Sequence, residues 1–408
     1  MAERTSTGGP AVPVGADEVR AFRLHAHHLT ERRPLAELPE VAGACGTQNS
    51  PPGSALLAWH ARVADVTQEH VDHLVEQDRS LLQTWSVRGA PFYFPTGDAP
   101  VFTAGALPAT ERGRLQLIIG AERALRDLGM GLDETVDRIA GHIGPVLSGR
   151  RLAIGELGAE LAERVAHDLP PTPRATWRAI GPHGTNLPLG EAVVHFCIRI
   201  LTLRGIVCLA PRSGGKAPFA LVEDWLGAPL PEVAPDRARA ALLRRYLHCY
   251  GPSTSRDFAG WLGVRTGDVE PWWRLLDDEL APVEFGGRQA WALAGDLDVL
   301  RSPPEPRGVR LLPPRDPYTQ LRDRDTILDQ RHHRRVWKAV GEPGTVLADG
   351  RIAGLWRPKK SGRTLALTVT PFGPLPAEHR AALQGEAEQV AALRGASSVR
   401  LAFEDPTG

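Results

Sequence analysis

The chain has 408 residues, enough for two to four domains with separate cores, and ordinary hydrophobic and charged fractions of 42% and 24%. Its formal net charge is zero, which excludes a global field that draws in nucleic acid, so any such surface needs locally placed charge. No apolar run approaches the roughly 18 residues of a membrane span, and no signal peptide is visible, so a reducing cytoplasm is expected.

The first 13 residues, rich in Gly, Pro, Ser and Thr, read as a disordered tail. Residues 14–130 read as a mainly helical domain. Its best helices cover ADEVRAFRLHAHHL and SALLAWHARV, and TWSVRGAPFYFP reads as a strand or extended segment.

Residues 131–228 run helix, turn, helix, long apolar helix and hairpin. The helices cover LDETVDRIAGHIGPVLS (kinked at Pro145), GELGAELAERV and, after a Pro-rich loop, LGEAVVHFCIRILTLRG. A hairpin follows around the turn RSGGK. Residues 229–303 repeat that order. Asp236 opens a helix that Gly251-Pro252 stops, and Ser253 to Ser255 offer caps for RDFAGWLG. Thr266 can cap a third helix over GDVEPWWRLLDDEL, and Gly286-Gly287 signals a hairpin. Helix, helix, helix, hairpin is the order of a winged helix, with the third helix in a major groove and the hairpin as wing. Residues 304–408 read as an α+β domain: a three-stranded meander turning first at Asp349-Gly350, an amphipathic helix over AEHRAALQGEAEQVAALRG, and a last strand. The expected fold class is therefore α+β, with tandem winged-helix units and a C-terminal meander and helix.

The basic charge is concentrated in residues 331–363. Nine Arg or Lys there face only Glu342 and Asp349, a net +7 in a neutral chain. Arg357, Lys359, Lys360 and Arg363 form the densest part, with Arg331, His332, His333, Arg334 and Arg335 upstream. Phosphate contact competes here with a merely solvated turn.

The four cysteines are scattered at 45, 197, 208 and 249, with no CxxC and no zinc-finger pair. Cys197, Cys208 and Cys249 lie in apolar runs and read as core. His25, His27 and His28 share one expected helix and read as surface or packing residues.

In the segment GACGTQNSPPGSALLAWHARV, residues 43–63, a loop carries Gln48, Asn49 and Ser50 straight into a helix opened by Pro51-Pro52. Three polar side chains there can position water or meet an anion. The competing reading makes Ser50 a helix cap before a first-turn Pro, with Gln48 and Asn49 as loop residues.

That segment, with TWSVRGAPFYFP (84–95), RRYLHCYGPSTSRDFAGWLG (244–263), LLPPRDPYTQLRDR (311–324) and VLADGRIAGLWR (346–357), resembles the AlkZ/YcaQ family of winged-helix DNA glycosylases, the HTH_42 superfamily. The similarity runs from about residue 18 to 404. It implies a C-shaped array of winged helices around a DNA channel with a probing β-hairpin. It implies base excision repair of bulky N7-alkylated purines, interstrand crosslinks included, or self-resistance in an antibiotic producer. The family's motif is Gln, an aliphatic residue, then Gln or Asp. Gln48 matches the first position, while Asn49 and Ser50 depart from the other two. The resemblance makes Gln48, Asn49 and Ser50 the catalytic candidates, and Asp316 and Tyr318 channel-lining candidates. Arg88 is a candidate for phosphate or lesion contact. No cofactor and no metal are implied, and a channel within one chain points to a monomer on duplex DNA.

An N7-alkylguanine is cationic, so its glycosidic bond is already labile, and positioning plus electrostatics suffice for hydrolysis. A neutral Gln-Asn-Ser trio supplies no ionised base, so neutral purines are expected to be poor substrates. No Lys precedes Lys216, so the N-terminal part offers no Schiff-base amine, and a monofunctional enzyme is expected. A non-catalytic lesion binder or regulator on the same scaffold is the alternative, and a small-molecule-responsive regulator a weaker one.

Overall fold

The computed structural model describes residues 11–212 and 214–405. The chain divides into two compact units. The first comprises Met1–His73, Leu243–Phe258 and Leu276–Gly408; the second comprises Leu74–Leu242 and Ala259–Leu275.

The first unit holds a five-stranded sheet. Its spatial order is Ser398–Phe403, Thr364–Pro371, Arg351–Ser361, Gly344–Ala348 and Val309–Leu312. The expected meander is its centre, and Val309–Leu312 adds an edge strand that the sequence reading did not anticipate. Strict alternation along TLALTVTP buries Leu365, Leu367 and Val369 on one face. The helix Ala377–Leu393 covers that face with Leu383, Ala387, Val390 and Ala391. It also carries the chain across to the parallel pairing of Ser398–Phe403 with Thr364–Pro371, the crossover that parallel strands require. Asp349 and Gly350, at φ 42° and 74°, make the tight two-residue turn that DG encodes. Gly344 admits no side chain, because a Cβ there would lie 2.2 Å from Trp356 Nε1. Trp356 can then donate to Leu312 O at 2.8 Å.

A smaller sheet in the same unit pairs Leu280–Phe285 with Arg288–Leu293 across Gly286-Gly287, both at positive φ. Val12 and Pro13 add a parallel edge against Val283 and Glu284, which corrects the last part of the expected tail; residues 1–10 lie outside the described residues. The helix Ala16–Ala26 packs Val19 and Phe22 against Val283, Phe285 and Leu300.

In the second unit the helices Leu132–Leu147, Ile154–Asp168 and Leu189–Leu203 and the strands Val207–Leu209 and Phe219–Leu221 share one apolar core. The Leu132–Leu147 helix continues through Pro145. The segment expected as a Pro-rich loop instead forms a helix, Pro171–Arg178, with Pro in its first turn and Trp177 buried. TWSVRGAPFYFP contributes to a hairpin, Leu81–Trp85 against Pro91–Pro95. The third helix expected after Thr266 is also corrected: only Thr266–Val269 is α-helical, and Glu270–Glu279 is a kinked 3-10 stretch. Pro271, one residue into that stretch, lacks the N–H that an α-helix would use. Among the described residues, no helix is long and apolar enough to cross a membrane.

Candidate active site and DNA-facing surface

Residues 47–55 are tied down by their own polar groups. Thr47 and Gln48 form a short strand. Trp59 Nε1 donates to Thr47 Oγ1 at 3.0 Å, and Ser54 Oγ donates to Gln48 O at 3.1 Å. Asn49 Oδ1 accepts from the backbone N–H of Gly53 at 2.9 Å and of Ala55 at 3.4 Å. Asn49 thus satisfies donors at the start of the Ser54–His60 helix, a role the sequence reading gave to Ser50. The correction has a simple cause: Pro51-Pro52-Gly53 forms a turn before the helix, and Gly53, at φ 85°, stands at its N-cap. Ser50 precedes that turn, joined to Pro51 by a cis peptide bond, and is half-buried.

Gln48 is 2% exposed, and neither its Oε1 nor its Nε2 has a hydrogen-bond partner among the described residues. Leaving a buried amide unpartnered costs about 1–3 kcal/mol, so the side chain is a functional candidate on physical grounds alone. Of the three polar candidates, only the Gln48 side chain is both buried and uncommitted. Asn49 has its oxygen occupied by capping.

Behind the loop lies a network that the sequence reading missed. Arg62, at the end of the HARV run, is buried and donates from Nη1 to Asp316 Oδ2 at 2.8 Å and from Nη2 to Oδ1 at 2.7 Å. Its Nε donates to His27 O at 2.8 Å and its Nη1 to Ala58 O at 2.8 Å. Asp316 also accepts from Tyr318 N–H at 3.0 Å. Asp316 and Tyr318 are each 1% exposed. The channel-lining expectation for both is therefore corrected: Asp316 neutralises a buried guanidinium and Tyr318 fills the interior, where burial pushes its phenol well above the ordinary value.

Two histidines near this network stay neutral far below physiological pH. Burial, then the positive charge of Arg62, lowers His28 to about 4. Burial, then Arg32, lowers His60 to about 4, even though Glu386 Oε2 lies 3.9 Å from its Nε2. The 3.9 Å contact is therefore not an ion pair near neutrality. Arg32 holds the Glu386 carboxylate instead, at 2.6 Å.

The basic segment divides into exposed and buried members. Arg357, Lys359, Lys360 and Arg363 all stand exposed on the hairpin of Arg351–Ser361 with Thr364–Pro371. Lys360 Nζ donates to Arg394 O at 2.8 Å and Arg363 Nε to Ser397 Oγ at 3.1 Å. Among the described residues, Arg357 and Lys359 have no ion-pair partner. Arg331 and Arg334 are exposed, and Arg335 lies over the Phe372 ring at 5.0 Å. His333 is half-buried, with Nε2 3.0 Å from Leu328 O. His332 is a correction: it is 5% exposed and stacks on Phe372 with ring centroids 4.0 Å apart. Burial, then Arg331 and Arg335, lowers its pKa, so it offers a phosphate neither surface nor charge. In the second unit, Arg88 is half-buried at φ 55°, where Gly263 leaves room for its stem.

Three comparisons bear on this geometry. The DNA glycosylase AlkZ-like family matches residues 41–393. A Streptomyces sahachiroi protein named interstrand DNA cross-link repair glycosylase is 27% identical over 391 residues, covering 93% of this chain and 96% of that protein. The structure of Streptomyces sahachiroi DNA glycosylase AlkZ superposes with a TM-score of 0.75 at 24% identity, covering 96% of this chain and 100% of that one. This mixed α+β chain belongs to the AlkZ-like DNA glycosylase family.

Proposed function

We propose that this DNA glycosylase hydrolyses the N-glycosidic bond of bulky N7-alkylated purines in duplex DNA, acting as a monomer and without cleaving the strand itself. The observation that carries the reading is the Gln48 carboxamide, buried and unpartnered on a loop where the Asn49 oxygen and the Ser54 hydroxyl are committed. Its oxygen can accept a hydrogen bond from the attacking water while its nitrogen donates to sugar or base. In a dry site such bonds are stronger than in water. The cationic leaving group supplies the remaining driving force, so no ionised base is required. The name of the Streptomyces sahachiroi relative supports extending the substrate class to crosslinked purines.

Arg357, Lys359, Lys360 and Arg363 supply phosphate contacts at the hairpin tip, with Arg331, Arg334, Arg335 and His333 a second basic group on the same unit, near the Phe372 end of that hairpin. Arg88 serves on the other unit. We read two winged-helix units from the order of helices and hairpins over residues 131–228 and 229–303. Gln48, Asn49 and Ser50 divide the work as water-holder, loop anchor and secondary polar contact.

The test is release of modified base from duplex DNA bearing an N7-alkylguanine. Gln48→Ala should slow single-turnover release about 10²–10³-fold. Equally slow release by wild type and Gln48→Ala, with tight binding retained, would replace this reading with a lesion-binding protein.

A further inference from the structure

Three side chains behind the Gln48 loop have no part in hydrolysis. His27 follows the C-terminus of the Ala16–Ala26 helix, Cys45 stands just ahead of Thr47, and Cys249 lies in the last turn of the Pro235–Tyr250 helix. All three are buried, and one donor atom from each lies within 4.8 Å of the other two. His27 Nδ1 is 3.9 Å from Cys45 Sγ. An ion with bonds of about 2.3 Å to sulfur and about 2.0 Å to nitrogen spaces its donors roughly 3.5–4 Å apart. The cluster is therefore within small side-chain shifts of a binding geometry.

Simple core packing explains the same residues less well. Among the described residues the sulfurs' other polar contacts are long: Cys45 to Gly46 O and to Tyr250 OH at 3.8 Å each, and Cys249 to Ala26 O at 3.9 Å. His27 is 2% exposed, and its Nε2 has no partner among the described residues. A buried imidazole whose best polar contact is a thiol at 3.9 Å is poorly satisfied. The ring is nonetheless held in place. Tyr250 and Tyr318 pack against it edge-on, with centroids at 4.9 and 5.7 Å, and Arg62 grips its backbone oxygen.

The donor chemistry selects the ion. Two thiolates and a neutral imidazole suit a borderline-to-soft d¹⁰ cation. A divalent ion makes the group electrically neutral, which a buried site favours; a monovalent one would leave a buried negative charge.

We propose that His27, Cys45 and Cys249 hold a structural zinc ion that clamps the base of the Gln48 loop to two helices. Because Cys45 lies only three residues before Gln48, the ion would fix the strand from which the carboxamide projects. This departs from the metal-free protein that the family resemblance implies. Buried donors from three distant segments make the role structural, since such cross-links add directly to folding free energy.

The test uses the untagged full-length chain, purified without chelator and supplied with zinc, and reads metal content rather than activity. About one zinc per chain is expected in the wild type, falling to near background in Cys249→Ser and in His27→Ala. Cobalt-loaded wild type should show thiolate-to-metal charge-transfer absorption. That spectrum decides the question alone if the variants fail to fold. Folded wild type that takes up neither metal above background overturns the proposal, as does a Cys45–Cys249 disulfide found by mass spectrometry.

Discussion

Within the first unit, two regions proposed to meet DNA are built on opposite principles. The Gln48 side chain is buried and neutral, and Thr47, Asn49 and Ser54 around it are fixed by hydrogen bonds. The Arg351–Pro371 hairpin is exposed and basic at its tip. The difference teaches which kind of change each region should feel. Substitutions at the loop should alter the chemical step and the stability of the fold. Substitutions at the hairpin should alter affinity and its dependence on salt. The glycine-turned hairpin Leu280–Leu293 sharpens the point, since its tip carries Arg288, 3.4 Å from the Asp257 carboxylate, and no run of bases. Local structure alone does not make a phosphate surface; charge placement does.

The largest expected effect lies behind the loop. Asp316→Asn leaves the Arg62 guanidinium buried without its counter-charge, which should cost about 3–5 kcal/mol of stability. Chemical denaturation would show it. An unchanged midpoint would mean that the loop is not supported from this side. Stability under acid comes next. His28 and His60 are lowered to about 4 in the fold, against an unfolded value near 6.5. The unfolded chain therefore binds more protons between these values. The stabilisation from keeping both rings neutral is complete above about pH 6.5 and is lost as pH falls toward 4. Each ring contributes a slope of up to about 1.4 kcal/mol per pH unit, and His60→Gln should remove one of the two. Asn49→Ala tests the loop more gently. Losing the cap should cost about 1 kcal/mol, with a slower chemical step and unchanged salt dependence.

How far the sequence foretold these regions follows from what each depends on. The hairpin was legible because charge density and the turn residues Asp349-Gly350 at the start of its meander are local properties of the chain. The helix Pro235–Tyr250 was legible because a Pro opens it and Gly251-Pro252 closes it. The Glu270–Glu279 stretch misled because its apolar spacing fits an α-helix, while Pro271 cannot complete one. At the loop, Gln48 stood out as a polar residue before a helix, but the exchange of roles between Ser50 and Asn49 depended on where the Pro51-Pro52-Gly53 turn placed the first N–H groups. Asp316 and Arg62, 254 residues apart, could not be paired from sequence. Neither could His27, Cys45 and Cys249, whose spacing matches no local metal motif and whose contact exists only after three segments pack.

The smallest effect, at the hairpin, is also the cleanest way to break the comparison. Arg357 and Lys359 are exposed and without ion-pair partners among the described residues, so replacing either by Ala should leave stability within about 0.5 kcal/mol. Each lost phosphate contact should reduce the slope of log affinity against log salt by roughly one unit. Single-turnover release at saturating enzyme should be unchanged, because neither side chain belongs to the loop. Lys360 and Arg363 already bond within the protein, so their replacement should reduce the slope by less. A hairpin substitution that slowed base release at saturation, with the salt slope intact, would show that the tip probes the base pair rather than gripping the backbone. The division between a chemical region and an electrostatic one would then fail at its exposed end.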